Sequence, residues 1–179
     1  VPCLENKNDV TLIGTHLEDD LINNIKFNNN HHPALNIELP SKVKVEKFER
    51  LKEILDEGVD IIVAGVSSIG VEWFVHQIAN NYKKNLPIIL LTKGLAIEEN
   101  KLITLSDKIK KLLKEKGHTK INVSAIKGPC LAAGLANKMR TGTVIANPDI
   151  KETELLKKII STDYYSTEIS DDLTGVELA

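Results

Sequence analysis

Three short stretches place small or hydroxylated residues, glycine and lysine directly after apolar runs. They are Val66-Ser67-Ser68-Ile69-Gly70, Leu91-Thr92-Lys93-Gly94 and Lys127-Gly128-Pro129-Cys130-Leu131-Ala132-Ala133. A turn of small residues that opens a helix lets backbone N–H groups come close to an anion or a flat ring. A lysine at the end of a strand supplies a positive charge to the same place. Taken singly, each is an ordinary turn: most lysines after strands are solvated, and most Gly-Pro pairs only redirect the chain. Three of them after successive strands are more informative, because open α/β sheets bind ligands outside the carboxyl ends of their strands.

The elements that must position these turns are legible as a pattern. Residues 10–13, 59–66, 86–92 and 143–146 are nearly continuously apolar, as parallel strands covered by helices on both faces should be. Residues 121–126 alternate, which suits a strand less completely covered. Between them run helical stripes: Phe48, Leu51, Ile54 and Leu55, stopped by Gly58; Val71, Phe74, Val75 and Ile78; Leu102, Leu105, Ile109, Leu112 and Leu113, ending at Gly117; and Leu155, Leu156, Ile159 and Ile160. The lysines between Lys108 and Lys116 form the solvated face of the third stripe. Strand and helix in alternation predict an α/β fold with a mostly parallel sheet, and residues 59–66 and 86–92 as its central strands. The one clear loop cluster is Asn28-Asn29-Asn30-His31-His32-Pro33.

At 179 residues, 42% of them hydrophobic and 27% charged, the chain has the make-up of one globular domain. Its longest apolar run, Ile61-Ile62-Val63-Ala64-Gly65-Val66, is far short of the ~20 residues a membrane helix needs. A formal charge of −2 gives nucleic acid or an anionic membrane nothing to hold. Two cysteines, Cys3 and Cys130, form no disulfide framework, which points to reduced thiols and a cytoplasmic setting. The chain opens on Val and closes on Gly175-Val176-Glu177-Leu178-Ala179, which reads as a helix just begun; Val1-Pro2-Cys3-Leu4 reads as a helix tail. Both ends therefore read as cut.

The remaining polar residues have plainer readings. Adjacent His31 and His32 point apart and have no third ligand nearby, so no metal site is expected. His76 falls on a helix and His118 in a turn. Cys130 has no neighbouring His or second Cys, so a small buried thiol is expected rather than a nucleophile. Trp73 is expected to pack on the sheet, and Tyr164-Tyr165 at a late strand.

The order of the motifs resembles the N-terminal domain of the soluble NAD(P)-dependent glycerol-3-phosphate dehydrogenases. The residues that carry the resemblance are Val10-Thr11-Leu12-Ile13-Gly14, Leu39-Pro40, Val66-Ser67-Ser68, Thr92-Lys93-Gly94, Gly128-Pro129-Cys130-Leu131-Ala132 and Asp171-Asp172-Leu173-Thr174-Gly175-Val176-Glu177. Together they span nearly the whole chain. The resemblance implies a Rossmann-like, doubly wound sheet in a single partial dinucleotide-binding domain over residues 1–179, lacking its first strand and glycine-rich loop. It implies NAD or NADP as cofactor, with dihydroxyacetone phosphate and sn-glycerol 3-phosphate as substrates feeding phospholipid synthesis. It assigns Lys93, Gly128 and Cys130 to substrate, and Lys93, Ala132, Thr15 and Ser67 to cofactor. A proton-transfer lysine is then expected just beyond Ala179, and a helical C-terminal domain elsewhere. A homodimer stays open for the complete protein.

The departures are specific. No Gly-x-Gly-x-x-Gly occurs in the sequence. Cys130 stands where the family has Ser or Thr, and Ser67 where it has Pro. The stretch Gly14-Thr15-His16-Leu17-Glu18 leaves NAD against NADP open: Thr15 and His16 carry no fixed charge, and Glu18 sits far along the turn. The chemistry agrees with the resemblance. Reducing a ketone by hydride transfer builds negative charge on oxygen, and an ammonium such as that of Lys93 stabilises it. Two other readings remain: a ketopantoate- or hydroxyacid-type dehydrogenase, and a non-catalytic Rossmann-like binding module.

Overall fold

The computed structural model describes residues 2–81 and 87–179; Val1, Lys83 and Leu86, where the third expected strand begins, lie outside the described residues. The chain starts with α1 (Pro2–Glu5), β1 (Thr11–Ile13), α2 (Asp19–Phe27), β2 (His31–His32), β3 (Ile37–Glu38), β4 (Lys44–Glu46), a 3₁₀ turn at Phe48–Arg50 and α3 (Leu51–Glu57). It continues with β5 (Ile62–Ala64), α4 (Val71–Asn81), β6 (Pro87–Leu90), β7 (Leu95–Glu98), β8 (Lys101–Thr104) and α5 (Leu105–Glu115). It closes with β9 (Asn122–Lys127), α6 (Ala132–Ala136), β10 (Thr141–Ala146), α7 (Ile150–Ile160), β11 (Tyr165–Ser170) and α8 (Leu173–Leu178).

Five strands form the main sheet in the order β11-β10-β9-β6-β5. β5, β6 and β9 run parallel, β10 runs antiparallel to β9, and β11 runs parallel to β10. This is the expected α/β class with a mostly parallel sheet. Successive residues of a strand face opposite ways, and the core divides accordingly. Ala64, Ile88, Leu90 and Val123 pack under α3, α4 and α5. Ile89, Ile126 and Ile145 pack against α7, with Cys3 of α1 and Leu135 of α6 at the margin. α8 adds Leu173 over Ala125 and Ala146.

Four expectations need correction. Residues 59–66 do not supply a central strand: β5 is an edge strand of this sheet, and Val63 is 51% exposed. A continuous apolar run does not distinguish an edge from a centre. Residues 10–13 do give β1, but it pairs with β4 in a separate two-stranded parallel sheet, with Leu12 exposed. Residues 121–126 are the centre, not a thinly covered strand, since Val123 through Lys127 are all buried. Alternation misled there because the polar Ser124 has a buried partner: its Oγ accepts from Nδ2 of Asn147 at 2.8 Å. Residues 143–146 belong to a strand antiparallel to its inner neighbour.

Two hairpins were also hidden. The Asn-rich cluster with His31-His32 is half of the β2–β3 ribbon rather than a loop. Leu102 lies in β8 and is 68% exposed, so the third helical stripe starts only at Leu105. Glu99 and Asn100 both take positive φ (47° and 60°) to turn β7 into β8. Thr104 then caps α5, its side chain accepting from the Asp107 N–H at 3.2 Å.

Candidate functional site at the carboxyl edge of the sheet

β5, β6 and β9 are parallel neighbours, so the turns that follow them meet at one edge. Side chains link these turns. The Thr92 hydroxyl donates to the Val66 carbonyl at 2.6 Å, which joins the end of β6 to the end of β5. Lys93 Nζ donates to the Gly128 carbonyl at 2.9 Å, which joins the end of β6 to the end of β9. Lys127 Nζ returns a hydrogen bond to the Thr92 carbonyl. Two lysines thus bridge the same pair of strand ends in opposite directions, just past the last residues of the β6–β9 ladder.

The two differ in setting. Lys93 and Ser67 are exposed at the edge, where a ligand could reach them. Lys127 is only 8% exposed, because it shares the parity of Val123 and Ala125 and so points into the helical layer of α5 and α8. Burial pushes its ammonium below the usual lysine range; the negative charge of Glu177 opposes that shift, and the positive charge of Lys93 adds to it. Glu177, 7% exposed on α8, accepts from the Ser106 backbone N–H at 3.2 Å and from the Ser106 hydroxyl. Its carboxylate therefore lies at the start of α5, where a helix favours negative charge.

Gly128 begins the third turn with φ of 143°, and a Cβ there would meet Thr143 Cα at 3.0 Å and the Gly142 carbonyl at 3.1 Å. Only glycine fits, and its backbone stays open to the edge. Gly94 also has positive φ, 112°, and lies against Ser68, with a Cβ position 4.0 Å from the serine Cβ. The turns holding Ser67, Lys93 and Gly128 are thus brought together as expected. Cys130 is half-buried at the margin of the β9–β10–α7 core, its Sγ reaching only the Leu131 carbonyl at 4.0 Å. Ala132 opens α6 and is exposed.

Thr15 follows β1, in the other sheet. Its N–H donates to Oε2 of Glu18 at 2.8 Å, so the carboxylate folds back onto the strand end instead of lying far along the turn. The next residue, His16, meets Trp73 of α4 with ring centroids 4.9 Å apart, and Phe48 meets Trp73 at 5.1 Å. This aromatic group sets the Thr15 turn beside the helix that follows Ser67. Trp73 thus borders the core, as expected, but also joins the two sheets, which was not foreseen. Lys127 and Glu177 stand inside the quoted motifs, but neither side chain was given a role. The signals were their positions: Lys127 two and four residues after inward-facing Ala125 and Val123, and Glu177 four residues after buried Leu173.

Comparison with known proteins agrees with the motifs. The family described as the N-terminus of NAD-dependent glycerol-3-phosphate dehydrogenase matches residues 2–153. An NADP(+)-dependent glycerol-3-phosphate dehydrogenase of Archaeoglobus fulgidus is 29% identical over 178 residues, 99% of this chain and 51% of that protein. Two solved glycerol-3-phosphate dehydrogenases share the fold. The Plasmodium falciparum structure has a TM-score of 0.82 at 18% identity, covering 99% of this chain and 50% of that one. The Coxiella burnetii structure has a TM-score of 0.80 at 20% identity, covering 98% and 50%. The chain spans about half the length of these relatives. With its matching motifs set on the carboxyl ends of β5, β6 and β9, the chain belongs to the NAD-dependent glycerol-3-phosphate dehydrogenase family, in the N-terminal part of that family's proteins.

Proposed function

We propose that residues 1–179 are a dinucleotide-binding domain of an enzyme that interconverts dihydroxyacetone phosphate and sn-glycerol 3-phosphate, a reaction that feeds glycerophospholipid synthesis. The observation that carries this reading is the convergence of Ser67, Lys93 and Gly128 at one sheet edge, tied together by the Lys93–Gly128 bond. The residues present fit parts of NAD or NADP. The Glu18 carboxylate at the end of β1 suits ribose hydroxyls. Gly128, with no side chain, suits close approach of a planar ring, and Ala132 opens the helix that follows its turn. A dinucleotide, when bound, supplies or accepts the hydride.

The chain's own residues do the rest. Lys93 Nζ holds a positive charge near the substrate, where it offsets the charge developing on the carbonyl oxygen or the charge of the phosphate. Gly128 and the residue at 130 line the substrate side; Thr15 and Ser67 line the cofactor side. By the family resemblance, the proton-transfer lysine follows Ala179, and α8 leads to it; a helical C-terminal domain completes the substrate site.

The test is steady-state kinetics on the full-length protein with dihydroxyacetone phosphate and NADH or NADPH. Lys93→Ala should lower kcat/KM by roughly 10²–10³, or about 2.7–4 kcal/mol, the usual cost of removing one preorganised electrostatic contact. Lys111→Ala is the control: Lys111 pairs with Glu98 at 2.8 Å on the outer face of α5, and its loss should leave kcat/KM unchanged. A folded Lys93→Ala within threefold of the parent would remove Lys93 from the site.

A further inference from the structure

The Lys93 side chain is exposed, and an exposed lysine carries rotamer freedom that a site must restrain. Its direct restraint is the Gly128 carbonyl. Its backbone is restrained one residue earlier, where the Thr92 carbonyl accepts from buried Lys127 and the Thr92 hydroxyl holds Val66. A buried ammonium is costly unless it is bonded and balanced. Here the Thr92 carbonyl bonds it and the charge of Glu177 offsets part of the cost of burial, while Glu177 is itself fixed by both the N–H and the hydroxyl of Ser106. A structural need alone would be met by an apolar residue at this core-facing position, as Val123 and Ala125 meet it four and two residues earlier.

We propose that Lys127 is a positioning residue for Lys93: by holding the Thr92 carbonyl it fixes the backbone that aims Lys93 at the carboxyl edge. This rests on the reading of Lys93 as the substrate-side cation. Lys127 touches neither substrate nor cofactor and acts only through the end of β6.

The experiment uses the full-length protein with Lys127→Met, which keeps an unbranched apolar stem one atom shorter and removes the donor. Hydrogen exchange over residues 91–94, which include the Leu91 amide bonded to the Ala64 carbonyl at 3.0 Å, should quicken about tenfold while exchange in α7 and β11 is unchanged. kcat/KM for dihydroxyacetone phosphate should fall by roughly 10–10²-fold, the scale of a small misplacement of a site residue. Combined with Lys93→Ala, the Lys127 loss should disappear, since a residue acting through another has nothing left to position. Unchanged exchange over 91–94, or a Lys127 loss that persists undiminished beside Lys93→Ala, overturns the proposal. If Lys93→Ala alone is silent while exchange over 91–94 quickens, the brace stands and the substrate reading of Lys93 falls. Lys127→Gln, smaller and still polar, is measured the same way should the Met variant not fold.

Discussion

At the scale of single residues, the decisive distinction is between a side chain that is reachable and one that is held. Cys130 sits at the rim of the core with no partner better than a carbonyl at 4.0 Å. It is placed like a packing residue whose family counterpart is a hydroxyl. Cys130→Ser should therefore keep activity within about tenfold in the full-length protein, because a hydroxyl fills less space and donates a better hydrogen bond. A loss beyond about a hundredfold in steady-state kinetics would indicate covalent chemistry at the thiol. Gly128 is constrained by its backbone. Gly128→Ala forces an L side chain into φ 143° with backbone atoms of Thr143 and Gly142 at 3.0 and 3.1 Å, and should cost about 1–3 kcal/mol in urea unfolding. The motif glycines and Lys93 were legible in the sequence because strand ends announce themselves. Lys127 was not, because a lysine closing an apolar strand looks the same whether it turns out to solvent or in under α5 and α8.

At the scale of elements, the sequence told strand from helix well and boundaries poorly. Leu102 joined the stripe of α5 by spacing alone, yet the turn at Glu99-Asn100 and the cap at Thr104 break the helix off at Leu105. That cap is testable. Thr104→Ala removes the acceptor for the Asp107 N–H and should cost about 1 kcal/mol. For a domain of this size that is a fall in Tm of roughly 2–4 °C, readable by circular dichroism. Strand β9 shows the opposite limit. Its alternation suggested a half-covered strand, but Asn147 bonds Ser124 and also the Asn122 side chain at 2.7 Å, so polar residues are carried into the centre of the sheet. Periodicity reports the polarity of a face and cannot see a partner that lies more than twenty residues away.

At the scale of the whole molecule, composition and alternation were enough to place the chain in the α/β class, while strand order was out of reach. The five-stranded sheet and the β1–β4 pair hold their strands apart, and they are joined by the His16–Phe48–Trp73 contacts and by α1, whose Leu4 packs beside Val43 and Val45 while Cys3 packs against the α7 core. The two borders of the main sheet are unlike. β11 carries Glu168, paired with Lys157 at 3.5 Å, whereas β5 has no charge anywhere in Ile62–Ala64 and leaves Val63 open. Uncharged strand borders are templates for self-addition, and proteins commonly blunt them with lysine. Prepared as these 179 residues in isolation, the protein should scatter more light as its concentration rises, through accretion of one copy's β5 on another's. A single Val63→Lys exchange, tolerable at so open a position, should raise the concentration at which turbidity sets in.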